Sequence, residues 1–171
     1  SRETRISGEW KTFREVSLRP SSGGAIHADV IALTESGDVI VIEVKLADNA
    51  DLRGRDVIAQ VIDYAAALAE SEPEDLLQLF GGDHRDVRSW PDLVARLFAT
   101  ARDPEELAKT IADNVRRAAI HLVIACDGIP GGLVDLVRSV SNQRALGAYV
   151  LHVVELRAYV SDDSRNELLV V

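Results

Sequence analysis

The stretch "VIVIEVKL", residues 39–46, decides how the chain folds. Val39 to Ile42 and Val44 form a nearly continuous β-branched apolar run, the pattern of a central strand covered on both faces. Glu43 and Lys45 break it. Side chains two apart in a strand leave the same face, so the carboxylate and the ammonium point together. Working outward, "TESGD" (34–38) places Gly37 at the tip of a short hairpin, and "AIHADVIAL" (25–33) reads as the antiparallel neighbour. Its period of two puts Ala28, Val30 and Ala32 on one face and His27, Asp29, Ile31 and Leu33 on the other. Asp29, Glu43 and Lys45 can thus converge on one sheet face.

Before this hairpin, "WKTFREVSLRP" opens a strand in which Val16 and Leu18 alternate with polar residues, and Pro20 with Ser21–Gly24 makes a turn. After it, apolar spacing of 3–4 predicts a helix from Arg55 or Asp56 to about Glu70, capped by Asp51 or Asp56. Residues 73–118 read as a helical insert, with Asp103 before Pro104 as an N-cap. "IHLVIACD" is a second buried strand, and "IPGGLVDLVRSVSNQ" a helix. "GAYVLHVVELRAYV" is one long strand or two, and "SDDSRNELLVV" closes as a hairpin and edge strand. The order β-β-β-α-(insert)-β-α-β predicts a single α/β domain over residues 1–171, with a mixed sheet flanked by helices. The first three strands form a meander and the later ones need crossovers.

The 171 residues suffice for a sizeable core, and the formal net charge is −9. That balance weighs against a nucleic-acid partner, but the charge is uneven. Residues 1–20 carry five basic and three acidic groups, whereas residues 70–117 carry seven and eleven. No apolar run approaches the ~20 residues of a membrane span, so no membrane partner is expected. The chain opens on Ser1 without a signal peptide and contains no Met, which implies a trimmed N-terminus. Cys126 is a single cysteine inside an apolar run: a buried small side chain, in keeping with the cytoplasm. His84, His121 and His152 have no partner at useful spacing. No Cys or His pair has zinc-ligand spacing.

Two neighbouring carboxylates repel unless a cation lies between them, and Mg2+ takes a few oxygen ligands while keeping water. A metal-bound water beside a lysine can become a nucleophile. On the helix that follows, Gln60 and Tyr64 are spaced i, i+4 on one face, where they could brace the lysine or contact a nucleic-acid backbone. A structural alternative stands beside this: Glu43 and Lys45 as a plain ion pair, Gln60 and Tyr64 as helix packing, His27 as a polar strand end. Against it, burying a carboxylate without purpose in an apolar strand costs several kcal/mol, where even a neutral polar group costs about 2–7.

Asp29, "EVK" at Glu43–Lys45 and "QVIDY" at Gln60–Tyr64 together resemble the PD-(D/E)XK nuclease superfamily, in the branch whose helix carries Q-x-x-x-Y, as in RecB-like nucleases. The motifs cover residues 12–70, and the later strands match only in architecture. The resemblance implies a restriction-endonuclease-like core and a metal-dependent deoxyribonuclease. In it, Asp29, Glu43 and the Val44 carbonyl bind Mg2+, with Mn2+ as a substitute, Lys45 assists the attacking water, and Gln60 and Tyr64 complete the site. Members of this superfamily usually begin with a helix bearing a further acidic residue. Here Glu3, Glu9 or Glu15 stand in that region. Arg53 and Arg55 are near enough in sequence to touch phosphate. The alternative is a catalytically inactive nuclease-fold module that binds nucleic acid or a protein. Cutting two strands would imply a homodimer, for which the apolar "ELLVV" is either an interface edge or, equally, an internal strand.

Overall fold

A computed structural model describes residues 8–21, 23–50, 55–141, 148–160 and 168–170. The chain runs β1 (Trp10–Leu18), β2 (Ile26–Thr34), β3 (Val39–Lys45), α1 (Asp56–Ala69), α2 (Pro73–Phe80), α3 (Trp90–Leu97) and α4 (Pro104–Arg116). It continues with β4 (Ile120–Cys126), α5 (Gly131–Ser141), β5 (Val150–Glu155), β6 (Ala158–Val160) and β7 (Leu168–Val170). The fold is α/β. A five-stranded mixed sheet has the order β1-β2-β3-β4-β5, with β1–β3 an antiparallel meander and β3, β4 and β5 parallel. The strand carrying Glu43 and Lys45 is the middle one, as its apolar run predicts.

The "GAYVLHVVELRAYV" stretch resolves into two strands, β5 and β6. They belong to different sheets, because β6 pairs antiparallel with β7 in a two-stranded ribbon. Leu168–Val170 of "ELLVV" is therefore paired within the chain; Glu167 and Val171 lie outside the described residues.

In α1, Val57, Ile58, Val61, Tyr64, Ala65 and Leu68 are buried, one stripe at helical spacing. Neither expected cap is seen there. Arg55 is the N-cap and makes no side-chain capping bond, Asp56 is the first helical residue, and Asp51 lies outside the described residues. In the insert, the expected Asp103 cap is present, and Ser89 adds one that the sequence reading does not single out. Asp103 accepts the Glu106 N–H at 3.0 Å, and Ser89 starts α3 in the same way. Phe80 ties the insert to the sheet, packing on Phe13 at 4.7 Å between ring centroids, and Asn114 of α4 donates to the Gly37 carbonyl at the β2–β3 tip (3.0 Å).

All five helices bury side chains in one continuous cluster with Ile31, Leu33, Val39, Val41, Leu122 and Ile124 of the strands. Ala32, Ile40 and Ala125 have the opposite parity and are buried outside that cluster. On their face Val44, Val150 and Val154 are exposed. Coverage of β3 is thus complete on the helix side and partial on the other, a correction to the expectation of two covered faces. Both crossovers from β3 to β4 and β4 to β5 step the same way across the sheet, so right-handed connections place their helices on one side. The period of two also breaks in β1 and β2. Phe13 packs on the cluster, yet Val16, Leu18 and Ala28 belong to it as well. Glu15, at φ +50°, turns β1 about its axis between them.

Candidate active site at the β2–β3 fork

The β2–β3 ladder runs from Leu33 opposite Val39 to Val30 opposite Ile42 and stops. Beyond it, Ile26–Ala28 pair only with β1, and Glu43–Lys45 only with β4. The strands fork at Asp29. Its carboxylate bridges the opening, where Oδ2 accepts the Val44 N–H at 2.8 Å in place of a ladder carbonyl.

Glu43 points from β3 toward α1 and is 2% exposed. Its Oε1 accepts from the Lys45 ammonium at 2.7 Å, while Oε2 is buried and has no hydrogen-bond partner. Burial is the main influence on this carboxyl and pushes its pKa above the ordinary 4.5; Lys45 pulls it down and Asp29 adds to the rise. The Asp29 and Glu43 carboxylates are therefore near enough to repel.

Gln60 and Tyr64 do share one face of α1, with the Gln60 amide donating to the Tyr64 hydroxyl at 2.6 Å. The hydroxyl donates in turn to the His27 carbonyl at 2.7 Å. What the pair braces directly is thus the β2 backbone two residues before Asp29. Burial and the nearby Glu43 carboxylate push the phenol well above its usual range, so it remains a hydrogen-bond donor. Gln60, Tyr64 and His27 line a recess of about 470 Å³ together with Asp56 and Asp63. Asp63, one residue before Tyr64 on α1, opens onto this recess as well.

The residues present fit a hard divalent cation. The orphaned Glu43 oxygen beside a second carboxylate is a cation-seeking arrangement, and Mg2+ asks for few protein ligands because it keeps its waters. Among the described residues no group of three or more His, Cys, Asp or Glu side chains converges. Glu9 pairs with Lys11. Glu15 stands across β1–β2 from Asp29 but is exposed and joins no such group. Glu3 and Arg53 lie outside the described residues, and Arg55 is exposed at the start of α1.

Two features escape spacing arguments. His121 and His152 sit on adjacent parallel strands, with Nδ1 of the first 3.2 Å from Nε2 of the second; burial and His121 lower the basicity of His152. By register they occupy the sheet face opposite Glu43. Asp127, directly after β4, accepts the Ala47 N–H at 2.5 Å. Both depend on β4 lying parallel to its neighbours in one register, which no local pattern encodes. Cys126 is buried and its thiol is pushed up by burial, so it is inert.

No family model, curated protein or solved structure matches the chain. Among the described residues no helix is long and apolar enough to cross a membrane.

Proposed function

We propose that the chain is a metal-dependent nuclease of the PD-(D/E)XK type, with a restriction-endonuclease-like core, that hydrolyses phosphodiester bonds in DNA in the cytoplasm. The observation that carries this reading is the buried, unpartnered Oε2 of Glu43, on a carboxylate that Lys45 contacts through Oε1 and that the nearby Asp29 charge acts on. Asp29, Glu43 and the Val44 carbonyl would hold Mg2+ or Mn2+, which supplies a low-pKa water and charge neutralisation at the phosphate. Lys45 is held by Glu43 Oε1 at the edge of the carboxylate pair, where its ammonium orients a water or takes up charge developing on the phosphoryl oxygens. Tyr64 and Gln60 fix the β2 backbone that delivers Asp29. Burial keeps bulk water from Glu43 and strengthens each of these interactions. Cutting both strands with one such site per chain calls for two copies.

A second reading is a non-catalytic module of the same fold. Asp56 and Asp63 on the recess beside Gln60 favour it, because they repel a phosphate backbone. Calorimetric titration of Mg2+ and Mn2+ into the wild type and Glu43→Ala, followed by incubation with labelled single- and double-stranded DNA, separates the two. The nuclease reading expects binding and cleavage that disappear together in Glu43→Ala. Binding without cleavage supports the module. A wild type that takes up neither metal leaves Glu43 and Lys45 as a structural ion pair and sinks the reading.

A further inference from the structure

Lys45 is the last residue of β3, and its register partner on β4 is Cys126. One step further along β4, Asp127 reaches back across the sheet edge and its Oδ1 accepts the Ala47 N–H at 2.5 Å. The next residue, Gly128, presses on the same point. A Cβ added there would lie 3.0 Å from the Ala47 Cβ, so the loop after β4 already rests against Ala47. On the other side of β3, Asp29 Oδ2 holds the Val44 N–H. The backbone is therefore gripped on both sides of Lys45, at Val44 by a carboxylate from β2 and at Ala47 by a carboxylate from the β4 end.

We propose that Asp127 is a positioning residue for Lys45, a role that rests on the nuclease reading above. A lysine reaches its target through four rotatable bonds, so its ammonium is placed only as well as its Cα. At the carboxyl end of a parallel strand the ladder runs out and the chain leaves the sheet, and in open α/β sheets this is where ligands bind. Asp127 replaces the missing ladder contact with a side-chain hydrogen bond to the Ala47 N–H. The point at which β3 leaves the sheet is thereby set, and with it the line from Lys45 to Glu43 Oε1. The carboxylate acts through its acceptor oxygen. A neutral side chain with the same oxygen serves equally.

The full chain carrying Asp127→Ala or Asp127→Asn tests this, assayed on labelled DNA with Mg2+. Asp127→Ala is expected to lose about tenfold or more in kcat with KM little changed, since small misplacements of a reacting group are costly. Asp127→Asn, whose side-chain oxygen still accepts from Ala47, is expected to keep the wild-type kcat. Hydrogen exchange at the Ala47 amide should speed up about tenfold in the Ala variant only. The side chain is exposed, so both variants should fold, with circular dichroism as the check. Unchanged kcat in Asp127→Ala overturns the proposal. So does equal loss in both variants, which would assign the effect to charge. If the wild type cuts no DNA, the nuclease reading fails on its own. Ala47 exchange and the Lys45 ammonium NMR signal, both unaltered in Asp127→Ala, would then refute the clamp; both altered, they would uphold it.

Discussion

Glu43 is the residue whose chemistry departs furthest from its surroundings. A native pKa raised above 4.5 means that the folded chain holds this proton more tightly than the unfolded chain does. The stabilisation is complete below the unfolded value and is lost as pH rises through the native one. At neutral pH, ionised Glu43 is therefore a net cost, which the 2.7 Å contact with Lys45 reduces without cancelling. Glu43→Gln should make the metal-free chain more stable at pH 7, and the advantage should vanish below pH 4.5. A cation that binds the carboxylate stabilises only the folded wild type. Added Mg2+ should raise the melting temperature of the wild type at pH 7 and leave Glu43→Gln unmoved. Urea and thermal melts across pH, with and without Mg2+, check both arms. A Gln variant less stable than the wild type at pH 7 would mean that the ion pair outweighs burial.

At the scale of elements, the β2–β3 hairpin and α4 must fit each other for the fork to be placed. Gly37 at the hairpin tip has φ +90°, and a Cβ there would lie 2.6 Å from the Thr110 Cγ2. Thr110 cannot easily turn away, because its hydroxyl donates to the Glu106 carbonyl at 2.8 Å. Gly37→Ala therefore carries a left-handed backbone and a clash, together about 2 kcal/mol or more. Adding Thr110→Ser removes the clashing methyl and should recover part of that loss in urea denaturation; no recovery would leave backbone strain as the sole cause. Gly37 was legible in the sequence as a turn residue, but its contact with α4 was not. The same division holds elsewhere. Strand parity and i, i+4 spacing, both local, placed Glu43 with Lys45 and Gln60 with Tyr64. Asp29's bond to Val44, Tyr64's bond to His27, Asp127's bond to Ala47 and the His121–His152 contact need the register between strands or helix docking. At the start of α1 the residue type misleads: Asp56 is a good capping type but stands one residue too late, with Arg55 in the cap position.

For the whole molecule, the two faces of the sheet carry unequal shares of stability. Leu122, fully buried under the helices, should cost about 3 kcal/mol as Leu122→Ala. Val154, 40% exposed on the other face, should cost under about 0.5 kcal/mol as Val154→Ala. Urea melts of the two variants compare them directly, and equal losses would mean that the second face is as tightly packed as the first. Charge is distributed as unevenly as packing. The chain carries −9, and the described cations near the fork are few: Lys45 at the end of β3, Arg14 opposite Val30 on β1, and Arg55 at the start of α1. A polyanion approaching this edge meets repulsion over about a Debye length, ~10 Å at 0.1 M salt, and finds few phosphate partners on arrival. Each neutralised phosphate contributes about −0.9 to the slope of log K against log salt. A nuclease that holds DNA through so few contacts should show a slope no steeper than about −3, where a protein with a broad basic surface shows a far steeper one. Anisotropy titrations of labelled DNA into metal-free protein, where cleavage is silent, give that slope across a salt series. A steep slope would locate the nucleic-acid surface away from the fork and detach Glu43 and Lys45 from the phosphate they are proposed to cut.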